Sequence, residues 1–408
     1  MIPPWIEEYI LLALRMDQAF RRLDDWPFVD FFYGPSELKA RIEKEEEPPA
    51  EVLARAAITL GDTLPSQNFE RDRAGFLEKQ ISAMETLCRK LSGQRVILQE
   101  VIQGYLDLEP TWQPESDFKQ ALDLLDQALP GTGDLRARYQ RFREETALRR
   151  PELVLSLASR MVAEARRRTR RFLELPEEEA FDFHAVREVS YGAANWYLGG
   201  YRSRLELNID RPASPFSLLY QMCHEAYPGH HTEFVMKEKH LYLDRGFTEQ
   251  SLFIVGPQLV IAEGIASLAQ EMIFTPEEAE VWLKAQNLAE AGIALNHLDL
   301  PKVIQALGAN MLDDLESNLA LMLWDGRSDE ELVAYAMAYT PFTGEQIRRT
   351  VQSLKSPLRQ IYAFTYSQGK RLMRPLLQGA NRWQVFRRLL TEPVYPSLLA
   401  EWSKAGGR

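Results

Sequence analysis

The sequence predicts a mainly α protein, one large body of two lobes or two packed domains, with a small antiparallel sheet just ahead of a histidine cluster. Three observations carry this expectation. Apolar residues recur at helical spacing along most of the 408 residues, and a tyrosine- and glycine-rich stretch from Phe181 to Asp210 interrupts them with a period of two. The length exceeds the ~250–300 residues at which a single core usually stops growing. Apolar residues at 45% and charged residues at 26% are ordinary for a globular chain and exclude a fibrous or largely disordered one.

In chain order, amphipathic segments cover about 5–23, 68–92, 116–129 and 134–148. From Pro151, a residue suited to a first helical turn, Val154, Leu157, Ala158, Met161 and Ala165 trace one face. The clusters EEEPP (45–49), EPTWQPES (109–116), LPGTGD (129–134) and LPEEE (175–179) break the pattern as loops. In RSRLELNID (202–210), Leu205 and Leu207 alternate with polar neighbours, as in a strand with one buried face. After Pro215 the helical spacing returns through Phe216, Leu218, Leu219 and Met222, which lead directly into HEAYPGHH. Further helices are expected over 277–292, 301–324, 328–338 and 343–355.

Several function classes are disfavoured. The 48 Lys and Arg against 59 Asp and Glu give a net charge of −11, which argues against nucleic acid as a partner. The basic run RRRTRR (166–171) closes a helical pattern, where cations suit the helix dipole, and is expected to be a solvated face. The N-terminal MIPPWIEEYILLALRMDQAF sets two acids ahead of a short apolar stretch and does not read as a signal peptide. The longest apolar tract, 251–269, contains Pro257, Gln258 and Glu263 and lacks basic flanks, so no membrane span is expected. Cys88 and Cys223 make no disulfide framework, and a cytoplasmic location is expected.

The chemistry concentrates in the octapeptide from His224 to His231; with His240 it places four of the six histidines within 17 residues. Zinc hydrolases set two histidines on one helix face as HExxH, with the Glu turned to activate the attacking water. Residues four apart differ by about 40° and roughly 6 Å, a span one ion can bridge. Here the fourth position after His224 is Pro228. In an unbroken helix His230 would lie about 240° round, and His231 would align but sit roughly 10 Å along the axis. Pro228 and Gly229 together supply the means to break that helix. Spacing alone leaves open a metal site, a loop histidine cluster or a buried hydrogen-bonding group.

A third ligand narrows the choice. Glu263 is the only charged residue of LFIVGPQLVIAEGIASLA, where a bare carboxylate is costly to bury, and catalytic zinc commonly takes two His and one Glu. An ordinary ion pair or an exposed helix turn is the alternative for Glu263.

HEAYPGHH followed by AEGIA resembles the bacterial domain of unknown function 885 family, whose signature is HEAxPGHH followed by an EGxA segment. That family is similar in fold to the thermostable carboxypeptidase Taq family and, more distantly, to the thimet oligopeptidase group, helical gluzincins with a deep substrate cleft. The resemblance is strongest over about residues 180–380 and implies a two-lobed gluzincin (zincin) body. A helical region, 1–179, would pack against a catalytic region, 180–408, as one continuous body. It also implies one zinc ion per chain, held by His224, His230 and Glu263, with Glu225 as the base, because the HExGH of those relatives aligns with Gly229 and His230 after a two-residue insertion. His231 is left an assisting role beside the metal or the substrate.

Two outlying segments extend the likeness. NWYLGGYRSRLELNIDRP resembles the strand the family places before the motif, and in gluzincins such an edge strand pairs with the substrate backbone, which assigns Arg204 and Leu205 to the peptide. SPLRQIYAFTYSQGKRLM resembles the family's late segment. Tyr366 within it is the first candidate to donate to the oxyanion, followed by Tyr362 and Arg359, although two Tyr four residues apart also suit a packed helix stripe. The EGWA common in the family is EGIA here, so one aromatic wall of the pocket is missing.

The expected activity is zinc-dependent hydrolysis of peptide bonds, carboxypeptidase- or oligopeptidase-like, with a peptide as partner and a homodimer as an open assembly. The alternatives are a metal-binding protein without turnover and a metallohydrolase of a non-peptide amide. A carboxypeptidase needs a cation for the terminal carboxylate, and Arg202, Arg204, Arg211 and Arg359 are the candidates. Cys223 lies about 100° round the helix from His224 and is expected in packing. Glu271, on a helix face similar to that of Glu263, is a candidate to orient a ligand histidine. Tyr227 reads as a staple to the core, His240 as a surface residue, and His184 and His297 as structural.

Overall fold

The structure is a computed structural model that describes residues 2–21, 27–211, 213–286, 288, 292–294, 298–307 and 311–404. It is mainly helical with two small sheets. Helices over Pro4–Phe20, Arg71–Leu91, Glu115–Ala128, Leu135–Glu145, Pro151–Thr169, Asp329–Tyr339 and Gly344–Ser353 lie close to their expected bounds. The segment expected over 301–324 is two helices, Leu300–Leu307 and Met311–Trp324, with 308–310 outside the described residues. The one expected over 277–292 is helical over Pro276–Lys284; much of its remainder, the end of the first helix and His297 lie outside the described residues.

Among the described residues, five helices escape the sequence reading: Ser36–Ile42, Ala50–Thr63, Leu98–Leu106, Arg382–Thr391 and Pro396–Lys404. Ala50–Thr63 shows why. Val52 and Ile58 are 41% and 43% exposed on its outer side, which blurs the apolar stripe that marks an amphipathic helix.

The first sheet pairs β1 (Val29–Phe32) antiparallel with β5 (Leu252–Ile254). The second contains β2 (Ala180–Val186), β3 (Ala193–Gly199) and β4 (Arg202–Asn208) in the order β2-β4-β3. Gly199, Gly200 and Tyr201, all at positive φ, turn β3 tightly back into β4, which then runs parallel to β2 from Ala180 opposite Arg202 to Val186 opposite Asn208. The sheet is therefore mixed, not antiparallel as expected, and β4 is its central strand.

One hydrophobic core includes side chains from Trp5 to Trp402, so residues on both sides of position 180 share it. The basic run is less solvated than expected. Arg166 and Arg170 clamp Glu179 at 2.6 and 3.3 Å, and the buried Arg168 donates to the Ile273 carbonyl at 2.8 Å, because the loop holding Glu179 folds back onto this helix end. No helix among the described residues is long and apolar enough to cross a membrane. The tract 251–269 is split between β5 and the helix Pro257–Ile273.

Candidate metal centre

The motif begins on a helix with a defined start. Ser214, just ahead of Pro215, forms a capping box with Ser217, and the helix Pro215–Glu225 carries His224 and Glu225 at its last two positions. Pro228 then ends it, as its missing N–H requires. The chain passes through Ala226 and Tyr227, and a new helix, His230–Lys237, starts with Gly229 as its cap. Gly229 donates to the Cys223 carbonyl at 3.0 Å and lies so close to the first helix that a side-chain carbon there would overlap the His224 carbonyl oxygen. Thr232 stitches the break through its N–H and hydroxyl to the Ala226 carbonyl, each at 3.2 Å. The local unwinding anticipated from the Pro-Gly pair is thus present, and it swings His230 back towards His224.

His224, His230 and Glu263 each offer a ligand atom, all within 4.8 Å of one another. Glu263 Oε2 lies 3.4 Å from His224 Nε2 and 3.8 Å from His230 Nε2, and the two imidazoles stand perpendicular with centroids 4.8 Å apart. Zinc with bonds of about 2.0–2.1 Å sets neighbouring tetrahedral ligands roughly 3.3 Å apart, so the set needs little movement to close on an ion. Glu263 is 4% exposed, and its Oε2 accepts no hydrogen bond of good geometry. A buried carboxylate oxygen left bare between two imidazoles fits a cation. Burial raises the Glu263 pKa, but His224, His230 and Tyr362 outweigh it and hold the carboxyl below its ordinary value. Glu225, beside these residues, moves the other way: burial lifts its pKa, opposed by the two histidines and reinforced by Glu263.

The helix Pro357–Met373 supplies the next layer. Tyr362 donates to Glu263 Oε1 at 2.8 Å and its hydroxyl lies 3.0 Å from that of Tyr366. The Tyr366 ring stacks near His224 at 6.2 Å. Both tyrosines therefore face the centre. Arg359 lies behind Tyr362, its guanidinium 5.2 Å from the ring centroid and ion-paired with the buried Glu316.

His231 is placed elsewhere. It is wholly buried, with Ser203 Oγ at 2.7 Å from Nδ1 and Glu179 Oε2 at 3.1 Å from Nε2. Glu179 also binds Tyr227 and Arg166, and these partners overcome the effect of burial to hold its pKa down to about 2. Both ring nitrogens of His231 are committed to this network, so the assisting role expected of it passes to a structural one. Tyr227 is the staple anticipated, and burial pushes the Cys223 thiol pKa upward, away from nucleophilic use.

The peptide-aligning strand is also reassigned. Leu205 is fully buried in the core, and Arg204 pairs with Glu206 at 3.0 Å. Both sides of β4 are occupied, by β2 and β3, so no substrate backbone can join it. β2 and β3 are the edge strands, and β3 is the one whose Asn195 donates to the Glu225 carbonyl, at 2.8 Å. Arg202 pairs with Asp182 at 3.0 Å and Arg211 donates to the Ser190 carbonyl, both on the surface.

Glu271 pairs with Arg374 at 2.8 Å on the surface and does not orient a histidine. Glu233 lies nearer to a candidate ligand: its Oε2 is 4.0 Å from His230 Nδ1, beyond hydrogen-bond length, and its Oε1 accepts from Lys237 at 2.5 Å. Spacing could have found it, since a Glu three residues after a ligand His shares its helix face. His240 pairs with Asp244 at 3.2 Å, and His184 lies exposed on β2.

A cavity of about 1290 Å³, lined in part by Phe142, Phe216, Phe274, Tyr220 and Ser267, opens beside the centre. None of the three metal-ligand candidates lines it. Its nearest approach is through Tyr220, whose ring lies 5.7 Å from His224, and Ser267, one helical turn past Glu263.

No protein-family model and no curated protein matches the chain. Among solved structures it is similar to a Colwellia psychrerythraea protein provisionally named a lipoprotein, with a TM-score of 0.55 at 13% identity over 96% of this chain and 72% of that one. At that identity the likeness shows a shared fold.

Proposed function

We propose that the chain is a metal-dependent hydrolase of peptide bonds, a zinc enzyme of the gluzincin type with its substrate cleft between two helical lobes. One observation carries the reading: His224, His230 and Glu263 converge within 4.8 Å around a carboxylate oxygen without a hydrogen bond, and Glu225 follows His224 directly. A divalent ion held there would polarise the scissile carbonyl and lower the pKa of the attacking water. Glu225 takes the proton of that water, for which a raised pKa suits it, and delivers it to the leaving amine. Tyr366 donates to the developing oxyanion, while Tyr362 fixes Glu263 and the Glu233 carboxylate faces His230. β3 offers its edge to the peptide backbone, and the adjacent cavity has room for the flanking side chains. The buried thiols Cys88 and Cys223 suit a reducing compartment, which the cytoplasm provides.

The test is metal analysis of the purified protein together with product masses from a peptide library. One zinc per chain and discrete cleavage products support the reading. Bound metal without any products favours a metal-binding protein without turnover, and cleavage confined to simple amides favours a non-peptide amidohydrolase.

A further inference from the structure

β1 holds a residue that sequence reasoning passed over. Val29 pairs with Ile254 and Phe31 with Phe253, so Asp30 is the extra residue of a β-bulge and has no cross-strand partner. Bulges commonly re-aim a side chain beside an active site. The surrounding packing carries this bulge onto the metal centre. The Phe31 ring lies 4.9 Å from Phe234, one turn beyond His230, and Phe234 stacks on His230 at 5.8 Å. The same aromatic cluster includes Ala262, next to Glu263, and Tyr362.

Asp30 is partly exposed, and its side chain makes no hydrogen bond or ion pair with any described residue. Burial raises the pKa of its carboxyl to about 6, and the charges of His230 and Glu263 are near enough to act on it. Arg21 also acts on it but is committed to Asp17 at 2.7 Å and to the Val29 carbonyl. A divalent ion with Glu225 and Glu263 sums to zero charge, and Lys237 neutralises Glu233. Asp30 then leaves one unmatched negative charge in a partly desolvated position, the complement of a monocation.

We propose that Asp30 receives the free N-terminal ammonium of the peptide substrate and so directs cleavage to the amino end of short peptides. The inference rests on the hydrolase reading above. It predicts an exopeptidase acting near a free amine, which differs from the carboxypeptidase expectation.

The test measures binding by calorimetry to the zinc-loaded Tyr366→Phe protein, which turns over slowly but keeps every charge of the centre, with and without the nearly isosteric Asp30→Asn. Three peptides are compared: a tripeptide with uncharged side chains and a free amine, its N-acetyl form, and an N-acetyl form containing lysine. Wild-type turnover of each is followed in parallel. The expected result is at least a tenfold tighter binding of the free amine than of the acetylated peptide, a preference that D30N abolishes. Equal binding of the first two, or a preference that survives D30N, overturns the anchor while wild-type turnover keeps the hydrolase reading. Tighter binding of the acetylated lysine peptide alone assigns Asp30 to a side chain and overturns the N-terminal assignment. No binding and no turnover of any peptide overturns both.

Discussion

Gly264 and Gly369 bring the helices Pro257–Ile273 and Pro357–Met373 into backbone contact: a side-chain carbon on Gly264 would lie 2.8 Å from the Gly369 carbonyl carbon, and one on Gly369 would lie 3.0 Å from the Gly264 Cα. This crossing lets Tyr362, on one helix, reach Glu263, beside Gly264 on the other. Gly264→Ala or Gly369→Ala forces the helices apart. Each is expected to cost about 1–3 kcal/mol of stability by overpacking and to weaken zinc binding, read by thermal melting and by metal titration.

The two tyrosines separate by readout. Tyr362→Phe removes the hydrogen bond that aims Glu263, and zinc affinity should fall roughly 10–100-fold. Tyr366→Phe leaves the ligands untouched; zinc content should be unchanged while kcat drops by about 10²–10³.

Glu233→Gln replaces the carboxylate that faces His230 with a neutral amide and leaves Lys237 without its counter-charge. A loss of roughly 10–100-fold in zinc affinity is expected by equilibrium dialysis, with the apo fold less stable as well.

Glu179 links acid stability to the second helix of the motif. Its folded pKa of about 2 lies below the ordinary 4.5, so its contribution is fully present above about pH 4.5 and is lost as the pH falls towards 2. Glu179→Gln should therefore lower Tm sharply at pH 7, at a cost of about 3–5 kcal/mol, while the two proteins converge near pH 2. A gap that stays constant across that window would contradict the role.

The three ligand candidates were legible because metal binding demands particular residue types, and Glu263 stands alone as a charge in its apolar tract. The choice of His230 over His231 depended on where the helix restarts after Gly229, which follows from the backbone break rather than from spacing. The order of β2, β4 and β3 could not be read from the period-two pattern, which marks strands and leaves their neighbours unspecified. Asn195 comes to the motif, and the bulge at Asp30 to the aromatic packing beside it, from distant strands, and no local periodicity points to them. Glu233 differs from these, since its i+3 spacing from His230 was visible and only needed to be used.

In the proposed mechanism Glu225 is the base beside an ion held by His224, His230 and Glu263. This role is tested most directly by comparing zinc-loaded Glu225→Gln with the wild-type chain on the same peptide mixture, with bound zinc measured in both. One zinc per chain is expected in each protein, with turnover lower by about 10²–10⁴-fold in the variant. Turnover retained by a variant that still holds its zinc would contradict that role.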